Sequence, residues 1–536
     1  MGKPAPKIFA REATGLVKEV GGWSSFLANW MLVTGGVPIL ILQYYYVYPG
    51  ANFELAFLLS FLPTLALAGM YTIFSLSMPR SGGDYIFVSR GLHPFLGFVN
   101  SFSLYAGYLL SGGVYSTFLA YYFVYELFTL GIFGHNSSLI NLATSLESPT
   151  SLFVIALIIL LISFGIAVVR PRYAWGAIFW IGVVSMVCTL VMFVVLATIN
   201  QASFAQSYNN FVTTQNQTLS SLGFANLTTY QQTIQVGGWS PPKSVIGASL
   251  SAYALAWYSY TWYTLPSTWA GEIKQARKNI PIAILWAVVW IAVYYILFLW
   301  LVNRAFGQPF LTSWSALTTN SNYSLPVDVN LFVPFFTYIM YPSAILSVIL
   351  LLAFFLPNFM SNPPLLISGT RYMFAWSFDR VLPERISAVS ERLRTPVLAT
   401  VIALLVNIPG AVIASFYPSA TPSAIVPLFT FGYILPALAG ISFPFLRKEL
   451  YEAVFVVKRK ILGLPVITWL GIVCLVSLAV GTYSLFIGGF MNFKLPDYVF
   501  YYSVYSIGAL IFVASYLIRR RQGVNLSLAF KEIPPE

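Results

Sequence analysis

The chain has 536 residues, 58% of them hydrophobic and only 8% charged, against roughly 25% charged content in soluble domains. With a mean hydropathy of +0.77, it is expected to be an all-α polytopic membrane protein, because a spanning helix satisfies its own backbone polar groups in lipid. The net charge of +12 would suit nucleic acid in a soluble chain, but here the basic residues sit between apolar segments and report topology, so no nucleic-acid partner is expected.

Windows of about 20 apolar residues, enough to cross roughly 30 Å of hydrocarbon, begin near Trp23, Phe53, Phe95, Ser151, Ala174, Val245, Pro281, Tyr341, Pro396, Ala424, Pro465 and Val499. That predicts about twelve transmembrane helices. With the N-terminus inside, all of the 28 lysines and arginines except Lys243, Arg304 and Lys494 fall in cytoplasmic segments. The positive-inside rule thus predicts an even number of spans with both termini cytoplasmic, as in a multi-pass plasma-membrane protein embedded in lipid.

The glycosylation sequons at Asn136, Asn216, Asn226 and Asn322 all fall in loops expected outside, whereas Asn525 lies in the inside tail. Cys188 and Cys474 both lie within spans, which argues against a disulfide framework or a metal site. Ahead of the first span there is no short apolar core with a small-residue cleavage site, so no cleaved signal peptide is expected.

In chain order, residues 1–22 form a cytoplasmic lead and 23–199 the first five spans. Span 1 is interrupted by Val33, Thr34, Gly35, Gly36, Val37 and Pro38. Adjacent glycines and a proline weaken a helix by about 1 and 3 kcal/mol per residue, and they free backbone groups that hydrocarbon tolerates only inside protein or beside a watery cavity. The break is therefore a packing kink or half of a binding site. Span 3 carries a stripe of Tyr105, Tyr108 and Tyr115 at helical spacing, read as core packing or a binding wall. Residues 200–244 are polar and read as an external loop with few large apolar groups to bury.

The segment 245–446 supplies spans 6 to 10. Span 6 holds Trp257, Tyr258, Ser259, Tyr260, Thr261, Trp262, Tyr263 and Thr264, then Pro266, five spans after the first break. Interrupted segments at corresponding places in two halves point to a transporter binding site. In span 8, Asn358, Ser361 and Asn362 lie beside prolines, where their oxygens either repair broken backbone or hold a hard cation such as Na⁺. A basic cytoplasmic loop at 447–464, spans 11 and 12 at 465–518 and a tail at 519–536 complete the chain.

Three ordered stretches carry a family resemblance. They are Pro79 to Tyr85 with Ser89, Arg90 and Gly91; Glu272 to Pro281; and Thr370, Arg371, Asp379, Leu382 and Pro383 with Thr395 and Pro396. Over about residues 9–518 the chain resembles the amino acid, polyamine and organocation transporter superfamily, particularly its prokaryotic amino-acid permeases. The resemblance implies two inverted five-span repeats whose broken helices 1 and 6 meet at the substrate, and uptake or exchange of amino acids or related amines by alternating access.

It also implies that a small-molecule carboxylate lies against amides around Val33, Thr34, Gly35 and Gly36. The ammonium would face carbonyls around Tyr258, Ser259, Tyr260, Thr261 and Trp262, with Tyr105 and Tyr108 as wall residues. Half-helix ends suit this, since amino ends are partly positive and carboxyl ends partly negative.

Three positions depart from the family pattern. Val37 stands where a second spaced glycine is usual, Trp262 takes the place of a glycine in helix 6, and Ser185 stands where some proton-coupled relatives have a lysine. Coupling through Na⁺ at Ser185, Asn358, Ser361 and Asn362, a proton site elsewhere, or simple exchange all remain open, and no other cofactor is expected.

A membrane enzyme would need clustered His, Cys or paired acids, and His93 and His135 lie on opposite sides of the membrane. A substrate sensor or a transporter of another organic amine are the alternatives. Gly35→Leu is expected from the sequence to abolish binding with little loss of folded protein.

Overall fold

The computed structural model describes residues 18–221, 227–319, 327, 329–452, 459–487, 494–523, 526 and 530. Sequons Asn226 and Asn322, and Asn525, lie outside the described residues. The chain is helical almost throughout, with one small antiparallel hairpin, β1 (Lys460–Ile461) and β2 (Leu464–Pro465).

The first span is two helices, α1 (Gly22–Thr34) and α2 (Val37–Gln43). Then follow α3 (Phe53–Ser77), a short α4 (Asp84–Gly91), α5 (Pro94–Phe133), α6 (Ser137–Leu146), α7 (Pro149–Val168), α8 (Pro171–Thr198) and the outlying α9 (Gln201–Ser221) and α10 (Tyr230–Val236). The sixth span is fragmented into α11 (Val245–Ser251), α12 (Tyr253–Ser259) and a 3-10 helix, Thr261–Glu272.

The second half continues with α13 (Ala276–Pro281), α14 (Ala287–Phe306), α15 (Gln308–Thr319), α16 (Val333–Met340), α17 (Ala344–Phe378) and α18 (Val397–Phe416). It ends with α19 (Thr421–Gly432), α20 (Ile434–Leu446), α21 (Lys448–Glu452), α22 (Val466–Ile487) and α23 (Leu495–Arg521).

Eleven helical segments among the described residues are long and apolar enough to cross a membrane. The expected span missing from that set is 245–270, which lacks a single long helix because it is broken at Ser259 and Tyr260. Its residues are nonetheless buried from Tyr253 to Glu272.

Local chemistry sets the helix starts. The Asn52 side chain caps α3 by accepting from the Leu55 amide at 2.7 Å, Ser343 caps α17, and prolines open α5 and α7 where a missing N–H costs nothing. Around the first span, buried throughout its apolar window, lie α8, α14 and α17. The long α5 packs against α17 and α18. Large apolar side chains are exposed on the outer helices, among them Leu161, Val194, Trp290, Val476 and Leu510. Such a belt is what a hydrocarbon solvent requires and water penalises.

At the end of the molecule rich in arginine, the segment before α1 pairs with the segment after the 3-10 helix. The Val20 amide donates to the Glu272 carbonyl at 3.1 Å, and the Lys274 amide donates to the Val20 carbonyl at 2.9 Å.

Candidate functional site

Both helix breaks are made without left-handed backbone. Gly35 and Gly36 have φ of −68° and −78°, so their value is space. A Cβ on Gly35 would lie 2.6 Å from the Asn358 Cα, and one on Gly36 would lie 2.6 Å from the Tyr115 ring. The helix 6 break passes from α-helix to 3-10 helix through Tyr260 at φ −90°, ψ −13°, a conformation open to any residue. That is why Trp262 can stand where the family pattern carries glycine.

The two breaks meet. The Tyr295 hydroxyl on α14 reaches the Val33 carbonyl at 2.5 Å and the Ser259 carbonyl at 3.1 Å. With one proton it satisfies the two freed carbonyl ends in turn or shares between them. Tyr295→Phe leaves both carbonyls without this donor in a dry interior, so thermal melting in detergent should show a loss of about 1–3 kcal/mol. An unchanged melting temperature would remove Tyr295 from this role.

Beside the breaks lies a small, partly open cavity. Helix 1 contributes Gly36, Val37 and Leu40; α5 contributes Ser111, Val114, Tyr115 and Phe118; helix 6 contributes Tyr258 and Trp262; and α19 contributes Thr421 and Ile425. The Trp262 ring sits 5.0 Å from that of Tyr258 and 5.4 Å from that of Tyr115, centroid to centroid. Among the described residues, no charged side chain lines this cavity. A second small, open pocket lies farther along α2, bordered by Pro38, Leu42, Tyr122 and Phe332.

Of the residues expected at the site, Gly36, Tyr258 and Trp262 line the cavity. Val33 and Ser259 contribute the carbonyls held by Tyr295. The Thr34 hydroxyl is spent on the Trp30 carbonyl, and the Gly35 amide on Met31. Gly35 itself faces the α17 backbone. Tyr260 stacks edge-on against Tyr295.

Thr261 offers its carbonyl to the Tyr433 hydroxyl at 2.5 Å. That hydroxyl forms a three-way cluster with Tyr108 and Thr264 at 3.0–3.1 Å. Tyr105 is turned elsewhere, toward the Met373 sulfur at 3.6 Å and the Trp376 ring.

The polar groups expected for coupling are all buried. Ser361 donates to the Asn358 carbonyl, and Asn362 to the Ser116 hydroxyl. The Ser185 hydroxyl and both side-chain atoms of Asn358 have no hydrogen-bond partner among the described residues. Asn136 is exposed and caps α6, whereas the Asn216 side-chain nitrogen is engaged by the Leu227 carbonyl at 3.0 Å.

The sequence reading did not single out Tyr295, Tyr433 or Thr421. Tyr295 follows Tyr294, Thr421 lies between Ser419 and Ser423, and Tyr433 stands in an apolar stretch; none of these settings marks a site.

The three motif stretches converge at the arginine-rich end. Arg90 makes a two-pronged pair with Asp379 at 2.6 and 2.8 Å, and the Tyr85 hydroxyl joins the same carboxylate at 2.6 Å. Arg371 pairs with Glu272 at 2.5 and 2.8 Å. Gly82 and Gly83 have φ of +112° and +50°, the turn that sets α4 beneath the 3-10 helix and one that other residues adopt only with strain.

Broken helices beside a cavity within a many-spanned all-helical body are the features of a membrane transport protein. The amino acid permease family model matches residues 21–517, and the chain belongs to that family, within the superfamily its motifs resemble. No curated relative matches it. Family and fold together point to a transporter of amino acids or related amines rather than an enzyme.

Proposed function

We propose that this permease binds a small amino acid with an uncharged side chain, or a related amine, in the cavity between the two broken helices and carries it across the plasma membrane by alternating access. The observation that carries this reading is the wall of that cavity, mainly aromatic and apolar with the Ser111 and Thr421 hydroxyls and, among the described residues, no charged side chain. Ligand charges there have to be met by helix ends. The first-turn amides of α2, from Gly36 and Val37 onward with Pro38 donating none, take the carboxylate. The carbonyls near Ser259 and Thr261 take the ammonium. The carboxylate site thus moves a residue or two beyond Thr34 and Gly35.

In this reading the arginine-rich end is cytoplasmic, and its buried ion pairs close the inner path while substrate is held. The two halves, 23–199 and 245–446, rock about the breaks as inverted repeats. Proteoliposomes loaded with unlabelled amino acids and given a radiolabelled mixture of the twenty should exchange label. Binding seen as a thermal shift without label entering would mean a sensor, and would overturn the transport reading.

Trp262→Ala should open the cavity toward helix 6. The competition profile for exchange should shift toward bulkier side chains, and an unchanged profile would remove Trp262 from the substrate wall.

A further inference from the structure

On the proposed transport reading, a second site lies between the cavity and the arginine-rich end, and it centres on Asp84. This residue opens α4 and is 1% exposed. Its Oδ1 accepts from the Tyr372 hydroxyl at 2.8 Å, while Oδ2 has no hydrogen-bond partner among the described residues. A buried carboxylate met only by neutral donors, the Tyr372 hydroxyl and its own backbone amide, is costly when ionised.

Among the described residues, the groups that face Asp84 supply no cation. Tyr71 on α3, Tyr372 on α17, Tyr108 on α5 and Tyr433 beside α20 lie within electrostatic reach. The Tyr71 and Ser267 hydroxyls are buried without partners among the described residues. Arg90 and Arg371 are held by Asp379 and Glu272. Arg447 donates to the Arg90 carbonyl, Arg80 to the Pro79 carbonyl, and His93 is exposed.

We propose that Asp84 takes up and releases the proton that drives this transporter. In the closed form Asp84 holds the proton on Oδ2 and has no charge to bury. Burial pushes the carboxyl up to about 7, against the lowering effect of the Tyr372 hydrogen bond. When the arginine-rich end opens, water reaches Oδ2, the carboxyl returns toward its ordinary acidic range, and the proton passes to water on the cytoplasmic side.

The link to substrate runs through a stacked ring pair and then through hydroxyls. The Tyr372 ring stacks against Tyr108 with centroids 6.4 Å apart, and Tyr108 belongs to the cluster in which Tyr433 holds the Thr261 carbonyl at the helix 6 break. Tyr372 is a positioning residue, acting through the carboxyl.

The test uses the full chain in proteoliposomes containing a pH dye, with the radiolabelled amino-acid mixture outside. In wild type, an inward proton gradient of one pH unit should support about tenfold accumulation at one proton per substrate, and adding amino acids should acidify the lumen. Asp84→Asn should still exchange label but lose both accumulation and acidification. Should that variant fail to fold, Tyr372→Phe serves. By removing a donor to the ionised form it should keep coupling but move the half-maximal pH for uptake upward.

Gradient-driven accumulation in Asp84→Asn, or an unmoved pH profile in Tyr372→Phe, would overturn the assignment. So would wild type that exchanges label without moving protons, and in that case the transport reading survives. Wild type that neither exchanges nor accumulates label overturns both.

Discussion

Asp379→Ala should destabilise the protein by about 3–5 kcal/mol, the range for removing one partner from a buried ion pair. Arg90 and Asp379 are each about 2% exposed, so the arginine left behind would be a buried charge without its carboxylate, and Tyr85 would lose the acceptor for its hydroxyl as well. Thermal melting in detergent should fall steeply, and detergent-extracted protein should lose its monodisperse peak.

A second variant separates charge from packing. Replacing both partners with apolar residues, Arg90→Met with Asp379→Leu, should recover much of the lost stability, because neither residue then has to be desolvated as an ion. The double variant should nonetheless transport poorly if the pair closes the inner path. Near-wild-type melting in Asp379→Ala would show that the pair does not hold this end together.

The second large effect concerns the two glycines of helix 1, which the structure assigns different work. From the sequence, Gly35→Leu is expected to block binding and spare the fold. The structure reverses that expectation. A Cβ at Gly35 meets the Asn358 Cα at 2.6 Å and its amide nitrogen at 2.8 Å, and backbone cannot rotate away. Even Gly35→Ala should cost about 1–3 kcal/mol as an overpacked contact, with leucine worse, read as lost folded yield.

Gly36→Ala is the better probe of binding. Its Cβ meets the Tyr115 ring at 2.6 Å, a side chain on the cavity wall with some freedom to shift. The melting temperature should hold within a few degrees while the KM for exchange rises. Should Gly35→Ala melt like wild type, the close approach of helix 1 to α17 would have to be redrawn.

Much of the fold is legible in the sequence because lipid imposes a single strong rule: apolar stretches of spanning length must be helices. The window starting near Val245 shows the limit of that rule. Hydropathy marks it as one span, yet the chain there is three short helices, with the Ser259 carbonyl held by the Tyr295 hydroxyl and the Tyr260 hydroxyl donating to the Phe57 carbonyl.

The candidate site divides along the same line. Gly36, Tyr258 and Trp262 stand in local patterns that announce a break, and they line the cavity. Tyr105 shares a stripe with Tyr108 and Tyr115 but lies one turn nearer the arginine-rich end, where its hydroxyl finds Met373. Tyr433 and Tyr295 act through partners 172 and 262 residues away, and no short-range spacing encodes such contacts. Asp84 was visible only as a letter in a glycine-rich motif. Its burial and the unbonded Oδ2 are visible only in the fold.

The pairing of Val20 with Glu272 and Lys274 has a consequence for how this protein is tuned. Both of its hydrogen bonds are between main-chain groups, so amino-acid replacements other than proline leave the donors and acceptors in place. A clasp of this kind has a nearly fixed strength across sequence drift. On the proposed reading, in which the arginine-rich end is cytoplasmic and opens during transport, the rate of opening would then be set by the arginine–carboxylate pairs alongside it, and related chains could change their speed there without remaking the joint itself.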